Sequence, residues 1–159
     1  MEVLENITYD EINIGDQCHF SKTLTEFDLL LFATVSGDVN PVHLDEDFAS
    51  QSIFKERIAH GMWSGSLVSA TLATVMPGPG TIYLNQSLEF HRPVKLGDTL
   101  LVTLCAKKKK DEKKIVTFDC EVKNQFDKLV LTGEAQVIAP TQKISLPRPT
   151  LPNIQLSPK

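Results

Sequence analysis

The stretch from Gly61 to Leu88, GMWSGSLVSATLATVMPGPGTIYLNQSL, is the longest run in the chain without Asp, Glu, Lys or Arg. Its length suggests a membrane span, but Pro77, Gly78, Pro79 and Gly80 break it after Val75 and Met76. What remains is about four helical turns, short of the ~20 apolar residues that a bilayer requires. Ser64, Gly65, Ser66, Ser69, Thr71 and Thr74 add small residues that let other backbones approach closely. A helix uncharged on every face is expected to be buried on every face, so Met62 to Val75 reads as a central helix surrounded by protein.

Beyond the proline–glycine break the period changes from helical to two. Ile82, Leu84, Gln86, Leu88 and Phe90 alternate with Thr81, Tyr83, Asn85, Ser87 and Glu89, the pattern of a half-buried strand. Three more strands follow, carried by Leu100–Ala106, Val116–Val122 and Leu129–Val137, and the turns between them predict an antiparallel meander. Upstream, Cys18 to Leu24 reads as an edge strand. A helix follows over Glu26–Ser36, with Thr25 as N-cap, Asp28 completing a capping box and Gly37 ending it. Asp45 is placed to cap a short helix over Glu46–Gln51. One long buried helix followed by a run of strands defines the class as α+β.

A chain of 159 residues corresponds to one domain with a substantial core. Residues 1–140 read as that domain. The last twenty residues hold Pro140, Pro147, Pro149, Pro152 and Pro158, five of nine prolines, so 141–159 reads as an extended tail or linker outside the core. A net charge of -4 argues against a phosphate backbone as partner. Cys18, Cys105 and Cys120 show no paired spacing, and the acidic N-terminus lacks the basic and apolar regions of a signal peptide. A cytoplasmic location is expected.

Chemistry concentrates in Ser36-Gly37-Asp38-Val39-Asn40-Pro41-Val42-His43, where Gly37 and Pro41 stiffen a turn that carries a carboxylate and an imidazole five residues apart. Both side chains can reach one water. On the residues alone, Asp38 and Asn40 can equally be turn formers that bond local backbone, and His43 a satisfied loop histidine. His60-Gly61 opens the central helix. Its unpaired N–H groups would form an oxyanion site, where Gly61 lets a carbonyl approach without a Cβ in the way, and Gly61 can equally be a helix-entry glycine only.

This octapeptide, with Phe32 before it and Phe48-Ala49 after it, resembles the signature of the MaoC-like (R)-specific enoyl-CoA hydratases, also called hydratase type 2. The resemblance extends through Ala59-His60-Gly61-Met62 with Ser66, Pro79–Leu84, Pro93-Val94 and Gly97-Asp98-Thr99, over roughly residues 8 to 140. It implies a hot dog fold, in which an antiparallel sheet wraps a long helix. It further implies that Asp38 and His43 are the catalytic pair, that Asn40 organises the active-site loop, and that Ser66 hydrogen-bonds His43. His60 is expected to orient the loop. The implied reaction is reversible hydration of a trans-2-enoyl-CoA to the (R)-3-hydroxyacyl-CoA, without a cofactor, in a homodimer or higher even oligomer. The tail around Val137–Thr141 and Pro147-Arg148-Pro149 resembles the junction of bifunctional proteins that join such a domain to a phosphate acetyltransferase, which would be a functional partner.

Other clusters are expected to carry less. His43, Asp45, Asp47 and His60 match no zinc or iron spacing, so no metal is expected. Lys107–Lys110 with Lys113 and Lys114 reads as a solvated hairpin turn, although this run, Arg57 and Arg92 are candidates for contacting the phosphates of coenzyme A. Trp63 reads as core. The competing functions are a 3-hydroxyacyl-ACP dehydratase or thioesterase on the same fold, and a non-catalytic acyl-CoA-binding module, for which Asp38 and His43 would be superfluous.

Overall fold

A computed structural model of the chain describes residues 2–157. In chain order the elements are β1 (Val3–Glu5), β2 (Gln17–Thr23), α1 (Glu26–Ser36), α2 (Pro41–Leu44), α3 (Glu46–Gln51), α4 (Gly61–Thr74), β3 (Ile82–Phe90), β4 (Thr99–Lys110), β5 (Ile115–Lys123), β6 (Leu129–Ile138) and β7 (Ser145–Pro147). The expected central helix is α4. Trp63, Leu67, Val68, Thr71 and Leu72 bury one side of it against the inner face of the sheet, where Leu100, Val102, Leu104, Phe118 and Val122 are fully enclosed. Among the described residues no helix is long and apolar enough to cross a membrane.

Burial of α4 is not complete within the single chain. Gly61, Met62, Ser66 and Ala73 are exposed, Met62 at 57 %. Absence of charge predicted burial on every face, and the chain alone covers only part of it.

The sheet has the order β2-β4-β5-β6-β3, with every neighbour antiparallel. Three strands, β4, β5 and β6, form the expected meander, but β3 does not adjoin β4. It pairs with β6 at the far edge, from Ile82↔Ile138 to Phe90↔Leu131. Packing on the start of α4 explains the placement: a Cβ at Gly65 would lie 2.9 Å from Leu88 Cδ1, and one at Gly61 would lie 3.2 Å from the Phe90 ring. Residues 91–98 must therefore cross to the other edge. On the way Val94 accepts the Ala59 N–H at 2.8 Å and Lys95 bridges to Ile58, which ties the crossing segment to the entry of α4.

The lysine run corrects a second expectation. Lys107–Lys110 are the end of β4, and the turn is the single 3-10 turn Asp111–Lys113. Lys109 is not merely solvated: its Nζ donates to the carbonyls of Tyr9 (2.7 Å) and Ile12 (2.5 Å) and lies 4.3 Å from the Tyr9 ring centroid.

The proline-rich tail is extended, as its prolines dictate, yet its first half is sewn to the body. β7 pairs with β1, and Asn6, 1 % exposed, holds both sides of the seam. Its Nδ2 donates to the carbonyls of Pro79 (3.2 Å) and Gln142 (2.9 Å), and its Oδ1 accepts the Ile144 N–H (2.9 Å). Pro158 lies outside the described residues. Ending the chain after Thr141 removes two of these bonds from a buried amide, a loss of about 2 kcal/mol or roughly 4–8 °C in Tm. Differential scanning calorimetry checks this; an unchanged Tm would show that the seam contributes nothing.

Candidate active site

The site is assembled where α1 ends. Thr25 and Asp28 form the expected capping box, and Gly37 closes the helix at φ 77°, a left-handed conformation that favours glycine. Asp38 follows directly. Its Oδ1 accepts the Asn40 N–H (3.1 Å), and Asn40 Oδ1 in turn accepts the Val42 N–H (3.3 Å). Asn40 thereby N-caps α2, a single helical turn with Pro41 in its first position, where sequence reading had only a rigid turn. That short helix carries His43 inward.

His43 is 7 % exposed. Its Nδ1 lies 2.8 Å from the Ile58 carbonyl, and a carbonyl can only accept, so Nδ1 carries the proton. In the neutral ring Nε2 is then a bare lone pair. It sits 3.9 Å from Asp38 Oδ2, whose carboxylate is half-exposed. Two acceptors cannot bond each other, and 3.9 Å is too long for a hydrogen bond in any case. One oxygen placed between them can donate a proton to each.

His60 completes the cluster in a more definite way than loop orientation implied. Its ring stacks on His43 with centroids 3.8 Å apart and planes at 28°, and Phe32 packs against it at 5.1 Å. Its Nε2 donates to the main-chain carbonyl of Asp38 at 2.9 Å, so one imidazole touches both members of the pair. Its Nδ1 is buried without a partner among the described residues. Ser64, one helical turn after His60 and 1 % exposed, lines the same cleft. Sequence reading did not single it out, though its i+4 spacing from His60 is the signal that places it there.

Ser66 does not do what was expected of it. Its Oγ donates to the Trp63 carbonyl on its own helix at 2.6 Å, and the Ile58 carbonyl holds His43 in its stead. An exposed serine in mid-helix has its own backbone nearest to hand. Gly61 is placed as expected, first in α4 and lining the cleft beside His43 and His60; the Phe90 ring fills the space where a Cβ would stand. The cleft encloses about 290 Å³ between apolar walls that include Phe54, Ile58, Phe90 and Val94.

Among the described residues the side chains that can approach a metal together are Asp38, His43 and His60, whose ligand atoms lie within 4.8 Å of one another. Asp45 and Asp47 are elsewhere: Asp45 caps α3 by accepting the Phe48 N–H at 2.9 Å, and Asp47 is in the first turn. Burial pushes the Cys18 thiol up to about 12 and the Cys120 thiol up to about 11, which disfavours a nucleophilic thiolate at either.

Burial lowers the pKa of His43 below the ordinary 6.5, because the imidazolium would lose its hydration. The Ile58 carbonyl and the Asp38 carboxylate pull upward, and the stacked His60 adds to the lowering. The neutral ring is thus the form present at pH 7. Long-range ¹H–¹⁵N spectra are expected to show the Nδ1–H tautomer of His43 and a midpoint below 6.5; a midpoint above it would mean that the carboxylate outweighs burial.

Comparison with known proteins adds an independent line. The family model described as "MaoC like domain" matches residues 11–128. An "(R)-specific enoyl-CoA hydratase" of Rhodospirillum rubrum is 46 % identical over 136 residues, covering 84 % of this chain and 92 % of that one. A mitochondrial "3-hydroxyacyl-[acyl-carrier-protein] dehydratase" of Arabidopsis thaliana is 33 % identical over 81 % of this chain and 78 % of its own. Among solved structures, the unliganded R-hydratase PhaJ1 of Pseudomonas aeruginosa superposes with a TM-score of 0.94 at 50 % identity, covering 98 % of this chain and 100 % of the other.

Proposed function

The chain belongs to the MaoC-like domain family, and from that membership and the Asp38–His43 pair we propose that it is an (R)-specific enoyl-CoA hydratase, adding water reversibly to a trans-2-enoyl-CoA. The observation that carries the reading is the facing of two proton acceptors, His43 Nε2 and the Asp38 carboxylate, across 3.9 Å. A module that only bound acyl-CoA would have no use for that arrangement.

The chemistry follows from the geometry. A water bridging the two acceptors gives up one proton to one of them as its oxygen attacks C3 of the enoyl thioester. The C2–C3 π electrons move into the thioester and form an enolate. The proton taken from water returns to C2 as the enolate collapses, so the product gains H and OH and the enzyme ends in its starting state. Delivery of both from one side gives syn addition. Gly61, first in α4, lines the same cleft, and unpaired N–H groups at that helix end are suited to stabilise the enolate oxygen. Asn40 keeps the loop in register by capping α2. The reaction needs no cofactor beyond the thioester itself.

The Arabidopsis relative supports a second reading, the reverse reaction on an acyl-carrier-protein thioester, which would use the same pair. Loss of the ultraviolet absorbance of crotonyl-CoA on adding the protein tests the first reading. Asp38→Asn and His43→Gln are each expected to remove most of kcat, roughly 10²-fold or more, with the double variant little worse than either single one. Near wild-type turnover in both single variants would sink the mechanism.

We also propose that the working form is a homodimer. The uncharged face of α4 left open at Met62 adjoins β3, an edge strand whose Ile82, Leu84 and Phe90 are 56 %, 47 % and 49 % exposed. An unpaired apolar edge is the surface that a second copy covers. Sedimentation is expected to give twice the chain mass; a stable monomer with full activity would refute it.

A further inference from the structure

We propose that the end of the tail, residues 154–157, is a positioning strap for the active site. Leu156 seats beside Val39 and Leu44, on the outer side of the loop that carries Asp38 and His43, and so helps to hold the two proton acceptors at their separation. The contact is a feature of the fold; only its effect on turnover rests on the hydratase reading.

The path of the tail supplies the first step. β7 pairs with β1, and just beyond it the Arg148 N–H donates to the Glu2 carbonyl at 2.9 Å while its guanidinium reaches the Glu2 carboxylate at 3.4 Å. Leu151 follows at 92 % exposed, which is how an apolar side chain stands where the tail meets no wall. At its end the tail returns to the body. Ile154 and Leu156 fall to 47 % and 41 %, two residues apart, so that an extended chain turns both the same way. Leu156 and Ser157 line one groove with Leu30 and Ala33 of α1, Val39 and Leu44.

Two of those residues flank the catalytic pair. Val39 stands between Asp38 and Asn40, and Leu44 directly follows His43. Every residue from 34 to 41 is exposed. The turn is shaped by its own bonds, Asp38 N–H to Ser36 Oγ (3.2 Å) and Asn40 N–H to Asp38 Oδ1 (3.1 Å), and His60 fastens the Asp38 carbonyl from the inner side. Leu156 is the apolar side chain from a distant part of the sequence that shares the groove on the outer side. A contact that reaches Val39 and Leu44 together opposes an outward swing of the loop, which would lengthen the 3.9 Å between Asp38 Oδ2 and His43 Nε2. Misplacement by about 1 Å can cost catalysis ~10²-fold. Val39 remains 70 % exposed, so the grip is partial and its loss is expected to cost less than that.

Point variants of the full chain test the strap while the β1–β7 seam stays intact. Leu156→Ser is expected to leave Tm unchanged and to lower kcat for crotonyl-CoA about fivefold with KM kept. Leu156→Met, apolar and of similar volume, is expected to restore wild-type kcat, and Leu151→Ser to alter neither constant. Leu156→Ser/Val39→Ala is expected to be no slower than Val39→Ala alone, since the two side chains act through one contact. NMR reads the strap without turnover: Leu156→Ser is expected to shift the methyl resonances of Val39 and Leu44 and the imidazole resonances of His43, and to leave the methyls of Val116, fully buried in the core, in place. Unmoved Val39 and Leu44 methyls would overturn the contact. Moved methyls with an unmoved His43 ring, or a kcat loss that Leu151→Ser shares or Leu156→Met does not restore, would overturn the positioning role. Failure of the wild type to hydrate crotonyl-CoA would end the hydratase reading instead, and the methyl and imidazole shifts would then decide the strap by themselves.

Discussion

The structure depends on the burial of one uncharged helix. In water α4 has no charged face to present, so the inner residues of β4, β5 and β6 cover most of it, and large enclosed side chains such as Leu72 and Phe118 lie along that contact. Two further placements follow from it. Strand β3 packs on the first turns of α4 through Leu88 and Phe90, which takes it to the edge opposite β2. The segment 91–98 then has to cross back, passing the entry of α4, where Val94 and Lys95 pair with Ala59 and Ile58. The carbonyl that fixes the His43 tautomer belongs to that same Ile58. The His43 ring is thus oriented by a backbone group whose position the core decides.

The two histidines are each fixed by a main-chain carbonyl, His43 donating from Nδ1 and His60 from Nε2. Burial favours the neutral form of His43, and the His60 ring stacked on it at 3.8 Å works in the same direction. Asp38 differs from both: its side chain is half-exposed, and its main-chain carbonyl, not its carboxylate, is bound by His60. The carboxylate remains directed at the lone pair of His43.

Much of this was legible in the residues. The absence of charge from 61 to 75 and the period-two runs after it determined the helix, the strands and the α+β class; burial imposes that period directly on β4, β5 and β6, whereas β3 is mostly exposed on both faces in the single chain. Thr25, Asp28 and Gly37 marked α1 to the residue, since capping is local chemistry. Asp38, Asn40 and His43 stood out as a motif for the same reason. Contacts between segments far apart in the chain were not legible. The position of β3 beside β6, the bond of Ser66 to its own helix, the seam that Asn6 makes with the tail, and the stacking of His60 on His43 all depend on which surfaces meet after folding. Sequence spacing determined which groups could carry the chemistry; only the packing of α4 against the sheet decided which nitrogen holds the proton and which carbonyl holds the ring.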